Sequence, residues 1–151
     1  MDNVLKISEA ASLALHAIVY LADNGGHKFS NKDIAAAIHA SEAHLSKVLQ
    51  RLAKAGLVSS NRGPKGGFVL ARRPDEITLL QVYEAIEGPM ASSPCLLESP
   101  VCAGDKCLMG DVIGRLNLEV RTYLERTRLS DLSDVFLKAE KGEESCAGAE
   151  T

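Results

Sequence analysis

Three of the four cysteines in this 151-residue sequence lie within 13 residues, at Cys95, Cys102 and Cys107. They are separated by six residues and then by four, which matches neither the paired CxxC of zinc ribbons nor the tight spacing of bacterial ferredoxins. Thiolates brought together on a loop bind soft metals or iron–sulfur clusters. From the spacing alone, a cluster, a zinc ion, and free or redox-active thiols all stay open. Cys146 lies in an acidic C-terminal stretch and is a poor candidate for a rigid ligand.

The segment that carries these cysteines is predicted to be a loop. Residues 90–106 contain Pro94, Pro100 and Gly104 and show neither a helical nor a strand period. Cys107 follows where a helix is expected to begin. A loop of this kind can close around a metal, whereas structurally inert cysteines are usually scattered through a core.

Composition sets the expected compartment and excludes several function classes. No run of 18 or more apolar residues is present, so no membrane span is expected. The apolar N-terminus carries Asp2, Lys6, Glu9 and His16, which indicates an amphipathic helix rather than a signal peptide. We therefore expect a cytoplasmic protein, in which disulfides are unlikely. Without a glycine-rich cofactor loop or paired carboxylates, no catalytic residue, enzymatic activity or small-molecule substrate is predicted.

The elements that must position any binding chemistry centre on Ser41–Arg73, the most basic part of the chain. This stretch holds seven Lys or Arg residues against one acid, Glu42, a net charge of +6. The whole chain carries −3, so the remainder carries −9. A local basic face on an acidic protein indicates a surface that binds phosphates.

A helix followed by a hairpin is predicted within this basic stretch. The helix lies between an N-cap at Ser41 and a left-handed cap at Gly56. Its apolar stripe consists of Leu45, Val48, Leu49 and Leu52. Strands over 57–60 and 68–71, joined by the glycine-rich residues 63–67, form the hairpin. A winged helix-turn-helix presents a helix and hairpin of this kind to DNA, and the alternative is a solvated helix with an ordinary hairpin.

Further helices are predicted on both sides of this unit. The first spans residues 5–24 and ends at two glycines. The second begins at Ser30 with Asp33 at the third position, and turns at His39-Ala40 into the Ser41 helix. Another helix spans residues 78–87, with a cap at Thr78. Two short helices with a tight turn between them make a helix-turn-helix.

The second helix of such a unit enters the major groove, and its N-terminal residues meet base edges. The predicted DNA-contacting residues are Ser41, His44, Ser46, Lys47, Gln50, Arg51, Lys54, Arg62 and Lys65. Of these, Ser46, Lys47 and Gln50 can read bases. Arg51 and Lys54 lie further along the helix and are expected to hold phosphates. His44 could equally pack or bond locally, while the hairpin-tip residues could reach a minor groove or a flanking phosphate.

A long helix is predicted after the cysteines, from Leu108 to Arg126. Its seam consists of Met109, Ile113, Leu116, Val120 and Tyr123, the pattern of a helix that pairs with another helix. We favour a homodimer over packing onto the same domain, because two copies can read a two-fold site. The predicted organisation is a DNA-binding domain over 1–89, a cysteine loop over 90–106, a dimerisation helix over 107–137 and a disordered acidic tail over 138–151.

The sequence resembles the IscR/NsrR family of bacterial winged-helix regulators, the Rrf-two family, over about residues 4–135. The resemblance is most specific at LVSSNRGPKGGFVL, residues 57–70, and at the cysteine trio with GDKCL around its third member. It implies a fold that is mostly α with a small β-hairpin wing, and a long C-terminal dimerisation helix. It also implies that Cys95, Cys102 and Cys107 hold a [2Fe–2S] or [4Fe–4S] cluster that tunes the affinity for DNA.

Two departures from the family pattern affect what the resemblance implies. IscR-like members have a His three residues after the last cysteine, where this chain has Gly110. Nitric-oxide-sensing members supply an Asp from the first helix of the partner, and its counterpart here is Ser12. The possible fourth ligands are therefore His16, Ser12, Glu9, Asp111 or a small molecule. Ser46 and Lys47 stand where IscR has Glu and Gln, so the target sequence is expected to differ.

The predicted function is a homodimeric transcriptional regulator that binds double-stranded DNA and responds to cluster status, redox stress or nitric oxide through an iron–sulfur cluster. The first alternative is a winged-helix regulator without a cluster, controlled by thiol oxidation, zinc or a protein partner. A less favoured alternative is an iron–sulfur redox protein.

Overall fold

The computed structural model describes residues 7–91, 93–103 and 106–136. The predicted acidic tail over 138–151, with Cys146, lies outside these residues, as do Gly104 and Asp105 of the cysteine loop. The described elements are helices α1 (Glu9–Asp23), α2 (Asn31–Ala37), α3 (Glu42–Lys54), α4 (Leu79–Glu87) and α5 (Val112–Arg126), and strands β1 (Val58–Asn61) and β2 (Gly67–Leu70). None of the described helices is long and apolar enough to cross a membrane.

Helix α1 forms the centre of the domain and packs against α3 and α4. Half of its buried side chains are small, and these three, Ala11, Ala14 and Ala17, have no exposed surface. Small side chains allow neighbouring helices to approach closely on two sides. The predicted start at residue 5 lies outside the described residues; within them α1 begins at Glu9, because Ser8 is the N-cap and its hydroxyl accepts a hydrogen bond from the backbone N–H of Ala11 at 3.0 Å.

Local capping signals set the boundaries of α2 and α3 as predicted. Ser30 and Asp33 form a reciprocal capping box at the start of α2. The Ser30 hydroxyl donates to the Asp33 carboxylate at 2.6 Å, which lowers the pKa of that carboxyl below its ordinary value. The contribution of this box to stability is present above the unfolded pKa of Asp33 and is lost as the pH falls through the lowered folded value. Ser41 caps α3, and His39 turns the chain between the two helices with a φ of 53°.

The β1–β2 hairpin, or wing, is joined to the rest of the domain by a backbone pairing with Phe29. Strands β1 and β2 pair antiparallel, with Val58 opposite Leu70 and Asn61 opposite Gly67. Phe29 bridges to Phe68 on the other side of β2, and its N–H donates to the Phe68 carbonyl at 3.1 Å. The predicted strands are each shifted by one residue, and Gly67 belongs to β2 rather than to the turn. A Cβ at Gly67 would lie 2.8 Å from the Phe29 carbonyl oxygen, so this pairing requires glycine.

Helix α5 begins four residues later than predicted, because residues 108–111 form turns and Gly110 has a φ of 58°. Met109 therefore lies outside the helix, and the predicted seam is shorter. The alternative of packing onto the same domain is correct for part of the helix, because Leu124 is buried and Val120 packs against the core. Leu116 and Tyr123 remain exposed in the single chain.

The chain returns to the domain after α5. The N–H of Leu79 donates to the Thr127 carbonyl and the N–H of Leu129 donates to the Ile77 carbonyl, both at 3.0 Å. Leu129 is buried, and Phe136 meets Tyr20 of α1 edge-on, with ring centroids 5.9 Å apart. The C-terminal end of α5 is thus fixed to both α1 and the start of α4.

Replacement of Gly114 by alanine is expected to raise the free energy of unfolding by about 1 kcal/mol, because glycine is a poor residue inside a helix. Gly114 lies within α5, and an added Cβ meets no atom of the described chain within 4 Å. Urea unfolding of G114A and of the parent protein measures the difference. A loss of stability would contradict the expectation and would indicate that another molecule packs closely on this position.

Candidate nucleic-acid interface and cysteine segment

Helix α3 has one apolar face in the core and one polar face in solvent. Leu45, Val48, Leu49 and Leu52 are buried, as the stripe predicted. On the opposite face, Lys47, Gln50 and Lys54 are exposed, while Ser46 and His44 are half-buried. Ser41 is exposed at the N-terminus, where its hydroxyl accepts from the N–H of His44 at 3.5 Å. The polar face is therefore free to meet a ligand along most of its length.

Gln50 is held by its neighbour one turn earlier in α3. Its Nε2 donates to the Ser46 hydroxyl at 3.4 Å. A Gln side chain has two donors and one acceptor with two lone pairs. One amide hydrogen and the amide oxygen of Gln50 therefore stay available, which is the pair of groups that reads an adenine edge.

A groove separates α3 from the wing. It has a volume of about 530 Å³ and is lined by Gln50, Ala53, Ser60, Asn61, Arg62, Gly67 and Phe68. Arg62 and Lys65 are both exposed at the tip of the wing. Gln50 lines this groove on the α3 side and Arg62 on the wing side, where a cation can contact a phosphate strand that borders a DNA groove.

Two of the predicted DNA-contacting residues contact other parts of the same chain. The Nδ1 atom of His44 lies 3.6 Å from the Oε1 atom of Glu9, at the start of α1. The guanidinium of Arg51 donates to the backbone carbonyl of Ile86, in the last turn of α4. The first contact fits the alternative that His44 bonds locally. Neither partner was indicated by the sequence, because both contacts join residues more than 30 positions apart.

The cysteine segment leaves α4 at Gly88, which has a φ of 82°. Its first residues are anchored: the N–H of Met90 donates to the Glu84 carboxylate at 3.0 Å, and Arg121 of α5 donates to the Met90 carbonyl at 3.2 Å. Asn117 of α5 donates to the Ser93 carbonyl at 2.9 Å. Beyond this point, the described residues of the segment lie in bends and turns, as predicted for a loop.

All three cysteines of the segment are free thiols. Cys95 is half-buried, and its N–H donates to the Ser93 hydroxyl at 3.2 Å. Cys102 and Cys107 are exposed. Across 7–91, 93–103 and 106–136, no group of three or more His, Cys, Asp or Glu side chains is arranged to hold a metal ion. The thiols have the chemistry that a soft metal requires, but the segment must rearrange to bring them together.

The candidates for a fourth ligand lie on two helices. Glu9, Ser12 and His16 lie on one side of α1, and Glu9 is paired with His44. The Nδ1 atom of His16 is 2.7 Å from the Ser12 carbonyl oxygen, which leaves its other ring nitrogen exposed. Asp111 precedes α5 and forms an ion pair with Arg115 at 3.1 Å. The donor set therefore contains three accessible thiols with a carboxylate or imidazole available.

Comparison with known proteins identifies the family. The model of the Rrf2 family, described as iron-dependent transcriptional regulators, matches residues 7–135. The chain belongs to this family. This Rrf2 protein is 34% identical over 122 residues to the HTH-type transcriptional regulator NsrR of Geobacillus kaustophilus, covering 80% of each chain.

Solved structures support the same assignment. The Rrf2 protein is similar to CymR, the global cysteine regulator of B. subtilis, with a TM-score of 0.71 and 34% identity, covering 86% of this chain and 97% of CymR. It is also similar to IscR of T. potens, with a TM-score of 0.65 and 26% identity, covering 97% and 95% of the two chains. The predicted winged-helix fold and the role of a DNA-binding transcriptional regulator are confirmed.

Proposed function

We propose that this Rrf2 protein binds a two-fold DNA site as a homodimer and that an iron–sulfur cluster on Cys95, Cys102 and Cys107 sets its affinity for that site. The observation that carries the DNA-binding part is the exposed basic surface formed by α3 and the wing on an otherwise acidic chain. The three free thiols on one segment carry the sensing part.

The DNA contacts divide into two kinds. Gln50, positioned by Ser46, and Lys47 lie exposed on the polar face of α3, where they can meet base edges. Lys54, Arg62 and Lys65 are exposed cations at the end of α3 and on the wing, suited to phosphates. Ser41 and His44 lie at the N-terminus of α3, the end of the helix that would meet base edges in the DNA major groove.

A dimer is supported by the apolar surface that α5 leaves uncovered. Val112, Leu116 and Tyr123 lie along one side of the helix, and Tyr123 keeps 57% of its surface exposed. Leu108 and Met109 continue this exposed surface before the helix begins. Two copies of this surface can bury each other around a two-fold axis, which would also place two α3 helices for two half-sites.

The cysteine segment supplies the ligands of the proposed cluster. Cys95, Cys102 and Cys107 would hold the cluster as thiolates, and the cluster would supply redox-active chemistry at this segment. Glu9, Ser12, His16 and Asp111 remain the proposed candidates for the fourth position. The polypeptide itself would convert a rearrangement of the cysteine segment into a change of the DNA-binding surface. The size of this effect is limited by the difference in cluster affinity between the two conformations of the protein.

The first alternative keeps the DNA-binding surface but has no cluster. The exposed Cys102 and Cys107 thiols would then act as an oxidation switch or hold zinc, or a protein partner would control DNA binding. Metal analysis of protein made without oxygen distinguishes the two, because zinc or no metal with full DNA affinity supports the alternative. An iron–sulfur redox protein would instead transfer electrons from a donor, independently of DNA.

Removal of the Lys54 side chain is expected to weaken binding to every DNA sequence, whereas removal of Gln50 is expected to change sequence preference. K54A loses a phosphate contact, so the slope of log K against log salt falls by about 1 per subunit. Q50A loses base contacts worth about 1–3 kcal/mol of discrimination. Binding of both variants to a duplex selected from a randomised library, and to random DNA, measures these effects. Equal behaviour of the two variants on both DNAs would contradict the division.

A further inference from the structure

The last turn of α4 is joined directly to the recognition helix α3. The final carbonyls of a helix have no partner within it, and that of Ile86 accepts a hydrogen bond from the Arg51 guanidinium. A cation at the C-terminus of a helix is also favoured by the helix dipole. Arg51 thus interacts with the end of α4 in two favourable ways, although it lies at the surface.

The first turn of α1 connects the same two helices a second time. The hydroxyl of Ser8 donates to the carboxylate of Glu87 in α4. The next residue, Glu9, pairs with His44 in the first turn of α3. The recognition helix is therefore linked to the end of α4 near both of its ends, directly through Arg51 and indirectly through α1.

The cysteine segment begins immediately beyond this junction. Gly88 ends α4 and Met90 is already bonded to Glu84 and to Arg121. A rearrangement that gathers the three thiols would act on residues 88–90, which follow directly on Ile86 and Glu87, once it displaces Ser93 and Met90 from their hydrogen bonds with Asn117 and Arg121 of α5. Any resulting displacement of the Ile86 carbonyl acts on the Arg51 guanidinium and therefore on α3.

We infer that Arg51 is a positioning residue that couples the cysteine segment to the recognition helix, rather than a phosphate contact as its place on α3 predicted. The inference rests on the proposed function for the signal, but the role of Arg51 in the free protein is independent of it. Lys54, three residues later on the same helix, provides a matched control, because its side chain makes no hydrogen bond or ion pair with the described residues.

The test compares R51Q with K54Q in three measurements on the full chain. Thermal unfolding of the free protein is expected to show a lower midpoint for R51Q only. The salt slope of binding to a selected duplex is expected to fall for K54Q only. The third measurement is the ratio of DNA affinities with and without cluster reconstitution. This ratio is expected to approach one in R51Q, while K54Q keeps the parent ratio at lower affinity.

Each outcome decides the inference. A salt slope that falls in R51Q as in K54Q, with unchanged unfolding, would make Arg51 a phosphate contact. A parent ratio retained in R51Q would show that Arg51 has no part in coupling, because a purely structural role lowers the unfolding midpoint without changing this ratio. If R51Q does not fold, R51K replaces it, because lysine keeps the charge and loses the planar fork of donors.

The proposed function fails separately from this inference. A parent protein whose DNA affinity is the same before and after reconstitution would overturn cluster control. In that case the unfolding midpoint and the salt slope still determine whether Arg51 positions α3 or binds phosphate.

Discussion

Simultaneous replacement of Cys95, Cys102 and Cys107 by alanine is expected to abolish iron binding and to leave DNA binding unresponsive to reconstitution. The three residues are the free thiols of one segment, and removing them leaves that segment without a thiolate ligand for an iron–sulfur cluster. The visible absorption spectrum and the iron content, both measured without oxygen, report the loss. DNA affinity in the absence of iron is expected to stay close to that of the parent apoprotein, because the basic surface is unchanged.

Cys146→Ala is the matched control for this variant. Cys146 lies outside the segment, and we expect C146A to take up as much iron as the parent protein. A parent protein that stays colourless after careful anaerobic reconstitution would contradict cluster binding. Stoichiometric zinc bound through the same three thiols would instead support the alternative without a cluster.

Replacement of Gly67 by alanine is expected to weaken DNA binding roughly tenfold or more, because the wing can no longer pair with Phe29. The added Cβ would lie 2.8 Å from the Phe29 carbonyl oxygen and 3.1 Å from its carbonyl carbon. Both are backbone atoms, so the strand itself must move. Overpacking of this kind costs about 1–3 kcal/mol, and 1.4 kcal/mol is about tenfold in binding. DNA titration measures the loss of the contacts proposed for Arg62 and Lys65.

The circular dichroism of G67A is expected to keep its helical signal, because the five helices do not depend on the pairing of the wing. G114A serves as a control for the change from glycine to alanine, since its Cβ meets open space. DNA affinity in G67A equal to that of the parent would mean that the wing does not contribute to binding.

The parts of the fold that could be predicted from the sequence are those with a local cause. Ser30, Ser41 and Thr78 each satisfy N–H groups of the helix that follows them, so the capping residue and the apolar stripe together locate the helix. The glycine at position 56 has the predicted positive φ of 74°. Local chemistry of this kind is visible in a few consecutive residues.

Several errors came from contacts between distant segments, whereas the late start of α5 has a local cause, the turns over 108–111 with a positive φ at Gly110. Strand β2 is shifted because Phe29, almost 40 residues earlier, pairs with Phe68 and draws Gly67 into the strand. The partners of Arg51 and His44 lie on α4 and α1, and nothing in the helical period of α3 indicates that these two surface side chains contact other helices. The exposed positions Lys47, Gln50 and Lys54 were predictable, because exposure follows directly from that period.

The cysteine segment was predictable in its composition but not in its geometry. The sequence indicates three thiols as candidate soft ligands, and the prolines and glycines predict a loop. A metal-free chain need not contain a preformed metal site, because the free energy of metal binding can itself bring the ligands together. The sequence therefore does not predict the geometry of the three thiols. For the same reason, neither the sequence nor the fold of one chain selects among the candidates for the fourth ligand.

The return of residues 127–136 to α1 and α4 has a consequence for cleavage of the chain. Three kinds of contact do not require an intact cysteine segment: the backbone hydrogen bonds between residues 77–79 and 127–129, the burial of Leu124 and the contact between the Tyr20 and Phe136 rings. A protease that cuts once between residues 93 and 103 should therefore yield two fragments that migrate separately in denaturing gels but elute together under native conditions. The C-terminal half of helix α5 therefore packs as part of the same folded domain as α1 and α4.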